Sequence, residues 1–87
     1  MNKVQARRVL ESEADLRRSG VQQSFAGMNR VADAIDALCG VDAYCSGRLS
    51  PALSAYYADC RGYCRDLRIN PSDLEISREL KDLVRFS

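Results

Sequence analysis

The apolar residues between positions 21 and 39 recur with the period of an α-helix. At 100° per residue they fall on one continuous arc of the helical wheel. The members of this arc are Val21, Phe25, Met28, Val31, Ala32, Ile35, Leu38 and Cys39. We therefore predict an amphipathic helix over residues 21–39, with this arc facing the core.

Two further segments have the same period. Between positions 51 and 68 a narrow apolar arc is centred on Cys60 and predicts a third helix, whose apolar members are Leu53, Tyr56, Tyr57, Cys60, Tyr63, Cys64 and Leu67. A weaker stripe between 72 and 86 consists of Ile76, Leu80, Leu83 and Val84. The first segment has scattered apolar residues, and pairs such as Glu13 with Arg17 would add only weak support to a solvated helix. Its pattern leaves open whether this helix packs on the core.

Sequence signals divide the chain between these segments. Ser19 and Gln22 have the spacing of a capping box, in which two side chains satisfy free N–H groups at a helix start. Gly40 suits a helix end, Pro51 suits a first helical turn, and Ser72 suits an N-cap. The predicted helices span residues of about 3–18, 21–39, 51–68 and 72–86.

These segments together predict the fold class. No part of the sequence alternates like a β-strand or repeats internally. A chain of 87 residues has the length of one domain. We expect residues 1–87 to form a single all-α domain, a small bundle of about four helices built round a central antiparallel helical hairpin of the second and third helices.

Charge and hydropathy limit the partners that we expect. The formal net charge is +1, so no global field draws the chain to nucleic acid or to an anionic membrane. The first residues lack the apolar run of a signal peptide, and no apolar run has the length of a membrane span. We expect a cytoplasmic protein that does not bind a membrane.

The four cysteines have the spacing C-x5-C-x14-C-x3-C. Free cysteine is often buried, and Cys60 and Cys64 lie on the apolar arc of the third helix. A disulfide from Cys39 to Cys60 is disfavoured, because about 13 Å of helix axis separates them in a hairpin. Cys39 to Cys45 is feasible, whereas the spacing matches no zinc module. We expect core and loop thiols, with no metal and no cofactor.

Catalytic signals are lacking in this sequence. It contains no histidine, which is the commonest general base, and its five glycines are scattered rather than gathered in a phosphate-binding loop. Asp33 and Asp36 are spaced as residues of a solvated helix face. We therefore predict a protein that is not an enzyme.

The arginines of the third predicted helix are the candidate binding residues. Arg61, Arg65 and Arg68 form a row on one flank, and Tyr57 lies one turn before them. None of these arginines has a carboxylate three or four residues away, so the row needs an acidic group from elsewhere. Either a partner supplies it, or Asp33 or Asp36 pairs with Arg61 inside the hairpin.

The predicted function is that of a small non-enzymatic protein-binding module. Its partner-binding residues are Tyr57, Arg61, Arg65 and Arg68, because tyrosine and arginine are enriched at interface hot spots. It would act as an inhibitor or adaptor by occupying the surface of another protein, one with an acidic surface. Arginine outnumbers lysine eleven to two, which suggests a bacterial or phage genome.

Two alternatives remain open. The helix that starts at Val21 carries Gln22, Gln23, Asn29 and Arg30, which are residue types able to contact base edges in a DNA-binding regulator. The near-neutral charge makes nucleic acid the less favoured partner. The other alternative is a structural homo-oligomer, of which a homodimer is the simplest form.

Overall fold

The computed structural model describes residues 1–64 and 68–86. These residues form four α-helices and no strand: α1 (Lys3–Arg18), α2 (Phe25–Cys39), α3 (Pro51–Arg61) and α4 (Asp73–Phe86). The all-α prediction is confirmed. Within the described ranges, every helix is too short or too polar to span a bilayer.

Each helix packs against its two neighbours in the order α1, α2, α3, α4 and back to α1. The predicted α2–α3 hairpin is present and antiparallel, since residues late in α3 contact residues early in α2. Leu10, Ile35, Tyr56 and Leu80 come from the four different helices and are almost completely buried. The core therefore lies at the centre of a four-helix bundle.

The bounds predicted for the first helix are those of α1. Asn2 is its N-cap: the Asn2 side chain accepts a hydrogen bond from the Gln5 N–H, and the Gln5 side chain accepts one from the Asn2 N–H. The sequence left open whether this helix packs on the core, and in the structure α1 packs against both α2 and α4. Its fully buried residues are Ala6, Leu10, Glu13 and Ala14.

Helix α2 begins at Phe25 and not at residue 21. Ser24 is the N-cap, and its hydroxyl accepts a hydrogen bond from the Gly27 N–H at 3.1 Å. The capping box predicted at Ser19 is wrong, because Ser19 instead ends α1 as its C-cap. Val21 therefore precedes the helix and is exposed, and Phe25 at the first turn is 89% exposed. The later part of the predicted arc is buried: Val31, Ala32, Ile35 and Leu38.

Helix α3 ends at Arg61 and not at residue 68. Gly62 has φ +73°, the left-handed conformation that glycine adopts readily, and the Tyr63 N–H donates to the Ala58 carbonyl at 2.8 Å. The chain leaves the helix there, so Tyr63 and Cys64 are exposed and do not continue the apolar arc. Leu67, predicted to lie on that arc, is outside the described residues.

The remaining helix signals agree with the structure. Ser50 caps α3, with Pro51 in its first turn, and the Leu53 N–H donates to the Ser50 hydroxyl at 3.2 Å. Ser72 precedes α4, and its hydroxyl accepts from the Glu75 N–H at 3.2 Å. The last helix therefore begins where the proline and the N-cap serine predict it.

A buried carboxylate joins α1 to α3. Glu13 is 0% exposed, and its Oε1 accepts hydrogen bonds from the Tyr56 hydroxyl at 2.7 Å and from Arg17 Nε at 2.9 Å. Burial, with the nearby Cys60 and Glu13, raises the pKa of Tyr56 far above its ordinary value, so that its hydroxyl stays a donor. The Arg17 guanidinium also lies over the Tyr56 ring, 5.0 Å from its centroid.

Polar contacts in the same region also connect α1 to α4. Arg17 Nη1 lies 3.4 Å from Asp73 Oδ1, and the buried Ser77 hydroxyl donates to the Ala14 carbonyl at 2.7 Å. Further along α4, Lys81 forms an ion pair with Asp15 at 3.2 Å. Part of the polar side of α1, at Asp15 and Arg17, therefore contacts α4, while Arg8 and Arg18 are exposed.

We predict that Tyr56→Phe destabilises the fold. The change removes one of the two donors to a carboxylate that is out of contact with water, which costs about 1–3 kcal/mol in the free energy of unfolding. Urea unfolding followed by circular dichroism measures the loss. Tyr63→Phe is the matched control, because the Tyr63 side chain is 52% exposed. Equal stabilities of the two variants would contradict the prediction.

Candidate protein-binding surface

Three tyrosines meet where α3 ends and the connection from α2 passes over it. The Tyr44 and Tyr57 rings are stacked with centroids 5.0 Å apart. The Tyr63 ring lies 5.8 Å from that of Tyr44 and 6.4 Å from that of Tyr57. We call Tyr44, Tyr57 and Tyr63 the tyrosine cluster. Aromatic pairs at such separations stabilise a surface beyond the area that they bury.

Turns on either side of α3 position this cluster. Gly40 ends α2 with φ +97°, and the connection that follows is anchored by buried Ala43. The Ala43 carbonyl accepts a hydrogen bond from the Arg48 N–H at 3.0 Å, which closes a turn around Tyr44. Gly62 then turns the chain so that Tyr63 comes back over the same side.

Arg61 binds the two aspartates of α2. Its Nη2 donates to Asp33 Oδ1 and to Asp36 Oδ2, both at 2.8 Å. Its Nε lies 3.4 Å from the Tyr57 hydroxyl oxygen, and its Nη1 lies 3.5 Å from Asn29 Oδ1. The predicted pairing of Arg61 with Asp33 or Asp36 is confirmed, and both aspartates take part.

This network fixes the Tyr57 side chain and balances the charge of Arg61. The Tyr57 hydroxyl donates to the Asp36 carboxylate, whose oxygens lie at 2.9 and 3.1 Å. The hydrogen bond to Tyr57, with those to Asp33 and Asp36, raises the pKa of Arg61 further above its ordinary value. Because its charge is compensated within the chain, Arg61 gives no support to the expectation of an acidic partner.

The other predicted site residues are Tyr57, Arg65 and Arg68. Tyr57 is only 5% exposed, so the tyrosine cluster presents mainly Tyr44 and Tyr63 to solvent. Arg65 lies outside the described residues. Arg68 is exposed in the connection between α3 and α4. Because α3 ends at Arg61 and Arg68 lies beyond that end, Arg61 and Arg68 do not share one helix as predicted. Whether Tyr57, Arg61, Arg65 and Arg68 contact a partner stays a prediction.

A groove of about 330 Å³ lies beside the tyrosine cluster. Small residues of α3 form its floor, and the connections on either side of α3 form its walls. The described residues that line it are Tyr44, Pro51, Ser54, Ala55, Ala58, Cys64 and Ile69. We call it the α3 groove. No charged side chain is among these lining residues, so the groove suits an apolar ligand.

Sequence reasoning did not find Tyr44, Ser54 or Ile69 as site residues. Tyr44 and Ile69 lie in connections, outside the apolar arcs of the predicted helices. Gly62 is the sequence signal that could have indicated residues of this kind. A glycine after a helical run predicts a chain reversal, which would bring distant residues back to α3.

The cysteines divide between core and surface. Cys60 is buried and Cys39 is half-buried, while Cys45 and Cys64 are exposed, and all four are free thiols. The prediction that Cys64 belongs to the core is wrong, since it lies beyond the end of α3. Among the described residues, no group of cysteine and carboxylate side chains has the arrangement of a metal site.

The residues of the DNA-binding alternative do not all lie on one helix. Gln22 and Gln23 lie in the connection before α2, and Asn29 faces Arg61. Arg30 is exposed on α2. They therefore do not form the start of one recognition helix.

Comparison of the chain with known protein families, with characterised proteins and with solved structures gives no match. The geometry of the α3 groove and of the tyrosine cluster is the basis on which a function is inferred.

We predict a fixed order of thiol reactivity. Cys45 and Cys64 should react first with a maleimide at neutral pH, because both are exposed. Burial raises the pKa of Cys39 and raises that of Cys60 to about 11, so fewer of these thiols are ionised at neutral pH. Mass spectrometry of timed samples measures the order. Labelling of Cys60 as early as Cys64 in the folded protein would contradict it.

Proposed function

We propose that this chain is a protein-binding module whose α3 groove receives the apolar face of a partner's amphipathic helix. Small side chains on the groove floor allow a second backbone to approach closely. None of the described lining residues is charged, so a charged side chain buried against them would lack a counter-charge, which is unfavourable. The partner whose helix occupies the groove would be inhibited or held in an assembly.

The observation that carries this proposal is the exposure of large apolar side chains in the groove, at Ile69, and in the tyrosine cluster beside it, at Tyr63. Tyr63 is 52% exposed and Ile69 is 38% exposed, although both are large apolar side chains. Tyrosine is enriched at interface hot spots, because its ring supplies contact area and its hydroxyl can still form a hydrogen bond. A partner helix seated in the groove would cover Ile69, and one that extends over the tyrosine cluster would also cover Tyr63.

The rigidity of the floor also favours binding. Ser50 is the N-cap of α3, Pro51 lies in its first turn, and Gly62 is its C-cap. Arg61 then ties its last turn to α2 through two aspartates. A preformed surface loses little conformational entropy on binding, so more of the contact energy appears as affinity.

We predict that Ser54→Arg abolishes partner capture and leaves the fold intact. Ser54 is half-buried in the groove, so an arginine there occupies the space of the ligand and adds a charge. Ser19→Arg is the matched control, because Ser19 is exposed in the turn after α1 and lines none of the described grooves. Affinity capture from cell extract followed by quantitative mass spectrometry compares the two variants with wild type.

The expected result is a specific protein that wild type and Ser19→Arg retain equally and that Ser54→Arg loses. In the complex with the captured protein, Cys64 should be protected from maleimide, since it lines the same groove. Equal capture by a folded Ser54→Arg variant would contradict the proposal. Sedimentation of wild type that shows a dimer, made monomeric by Ser54→Arg, would assign the groove to a second copy instead.

A further inference from the structure

A second groove lies between α1 and α2, away from the residues that line the α3 groove. Its volume is about 360 Å³, within the range of about 300–1,000 Å³ typical of small-ligand pockets. The residues that line it are Arg8, Val9, Ser12, Gln23, Gly27, Arg30 and Val31. We call it the arginine groove.

The two arginines of this groove come from different helices and lack counter-charges. Arg8 lies on α1 and Arg30 on α2, and both are exposed. Within residues 1–64 and 68–86, neither forms an ion pair or a side-chain hydrogen bond. Arg17 and Arg61, by contrast, bind carboxylates of their own chain. Two like charges on facing walls of one groove repel each other unless an anion lies between them.

The rest of the lining also fits an anion. No aspartate or glutamate is among the described lining residues, whereas Ser12 and Gln23 offer hydroxyl and amide donors. Gly27 makes room for Gln23: a Cβ at position 27 would lie 2.3 Å from Gln23 Oε1. Any larger residue at position 27 would displace the Gln23 side chain.

We propose that the arginine groove binds a phosphate group. Each guanidinium presents a planar fork of N–H donors that matches two oxygens of a phosphate. A phosphate monoester carries a charge of about −1.5 to −2 at neutral pH, enough to balance both arginines, while one carboxylate balances a single charge. The phosphate belongs either to a small phosphorylated molecule or to the backbone of a nucleic acid, in which two neighbouring singly charged phosphodiesters would balance the two arginines.

The test is a titration of the isotope-labelled protein followed by nuclear magnetic resonance. The two probes are inorganic phosphate and a short single-stranded oligodeoxynucleotide. Either probe should shift the Ser12 and Gln23 signals saturably. The double variant Arg8→Gln plus Arg30→Gln should weaken binding at least about tenfold, because both charge-assisted contacts are lost.

The matched control is Arg18→Gln plus Arg78→Gln, which makes the same change in net charge at two exposed arginines outside the groove. It should bind like wild type. Saturation by inorganic phosphate identifies a small phosphorylated ligand. Tighter binding of the oligonucleotide, falling steeply with salt, identifies a nucleic acid backbone.

The proposal is overturned if neither probe gives saturable shifts, or if the groove variant binds as well as the control. Saturation by an acidic peptide but not by phosphate would also overturn it. Circular dichroism of both double variants confirms that the fold is kept, which is expected for exposed side chains.

Discussion

The buried carboxylate of Glu13 is the constraint on which the arrangement of the helices depends. Removing a charged carboxylate from water costs several kcal/mol unless charges and donors compensate it. Arg17 supplies the charge from the next turn of α1, and Tyr56 supplies a donor from α3. Since Glu13 Oε2 has no hydrogen-bond partner among the described residues, loss of either donor would leave the carboxylate poorly satisfied. This requirement ties α1 to α3 across the centre of the bundle.

Two adjacent tyrosines of α3 fix the rotation of this helix, and with it the position of the α3 groove. Neighbouring residues of a helix point about 100° apart, so two anchors in sequence fix its rotation about its axis. Tyr56 is held by Glu13 on α1, and Tyr57 is held by Asp36 on α2. With the rotation fixed, Ser54 and Ala58 face the groove on the opposite side from buried Cys60. The floor of the proposed binding surface is thus set by contacts in the interior.

Sequence patterns predicted what depends on spacing along one helix or across one hairpin. The bounds of α1, the caps of α3 and α4 and the pairing of Arg61 with the α2 aspartates all follow from such spacing. Glu13 shows where this reasoning ends. Its spacing to Arg17 indicates an ion pair, which the structure contains. Spacing along α1 alone does not reveal that α3 covers this pair. The burial of Glu13 is a property of the assembled bundle.

The surface was harder to predict for the same reason. Tyr44 and Ile69 lie in connections whose path depends on the glycines that end the helices, Gly40 and Gly62. The prediction for residues 51–68 continued the apolar arc of the helical wheel past Gly62. The structure ends that helix at Gly62, because hydrogen bonds from Gly62 and Tyr63 close the last turn.

A double-mutant cycle between Glu13 and Tyr56 tests the role of the buried carboxylate most directly. The free energies of unfolding of wild type, Glu13→Met, Tyr56→Phe and the double variant give the coupling between the two side chains. A direct buried hydrogen bond to a carboxylate predicts a coupling of about 1–3 kcal/mol. A parallel cycle of Glu13→Met with Tyr63→Phe should be additive within about 0.5 kcal/mol. Additivity in both cycles would show that Glu13 does not hold α1 to α3.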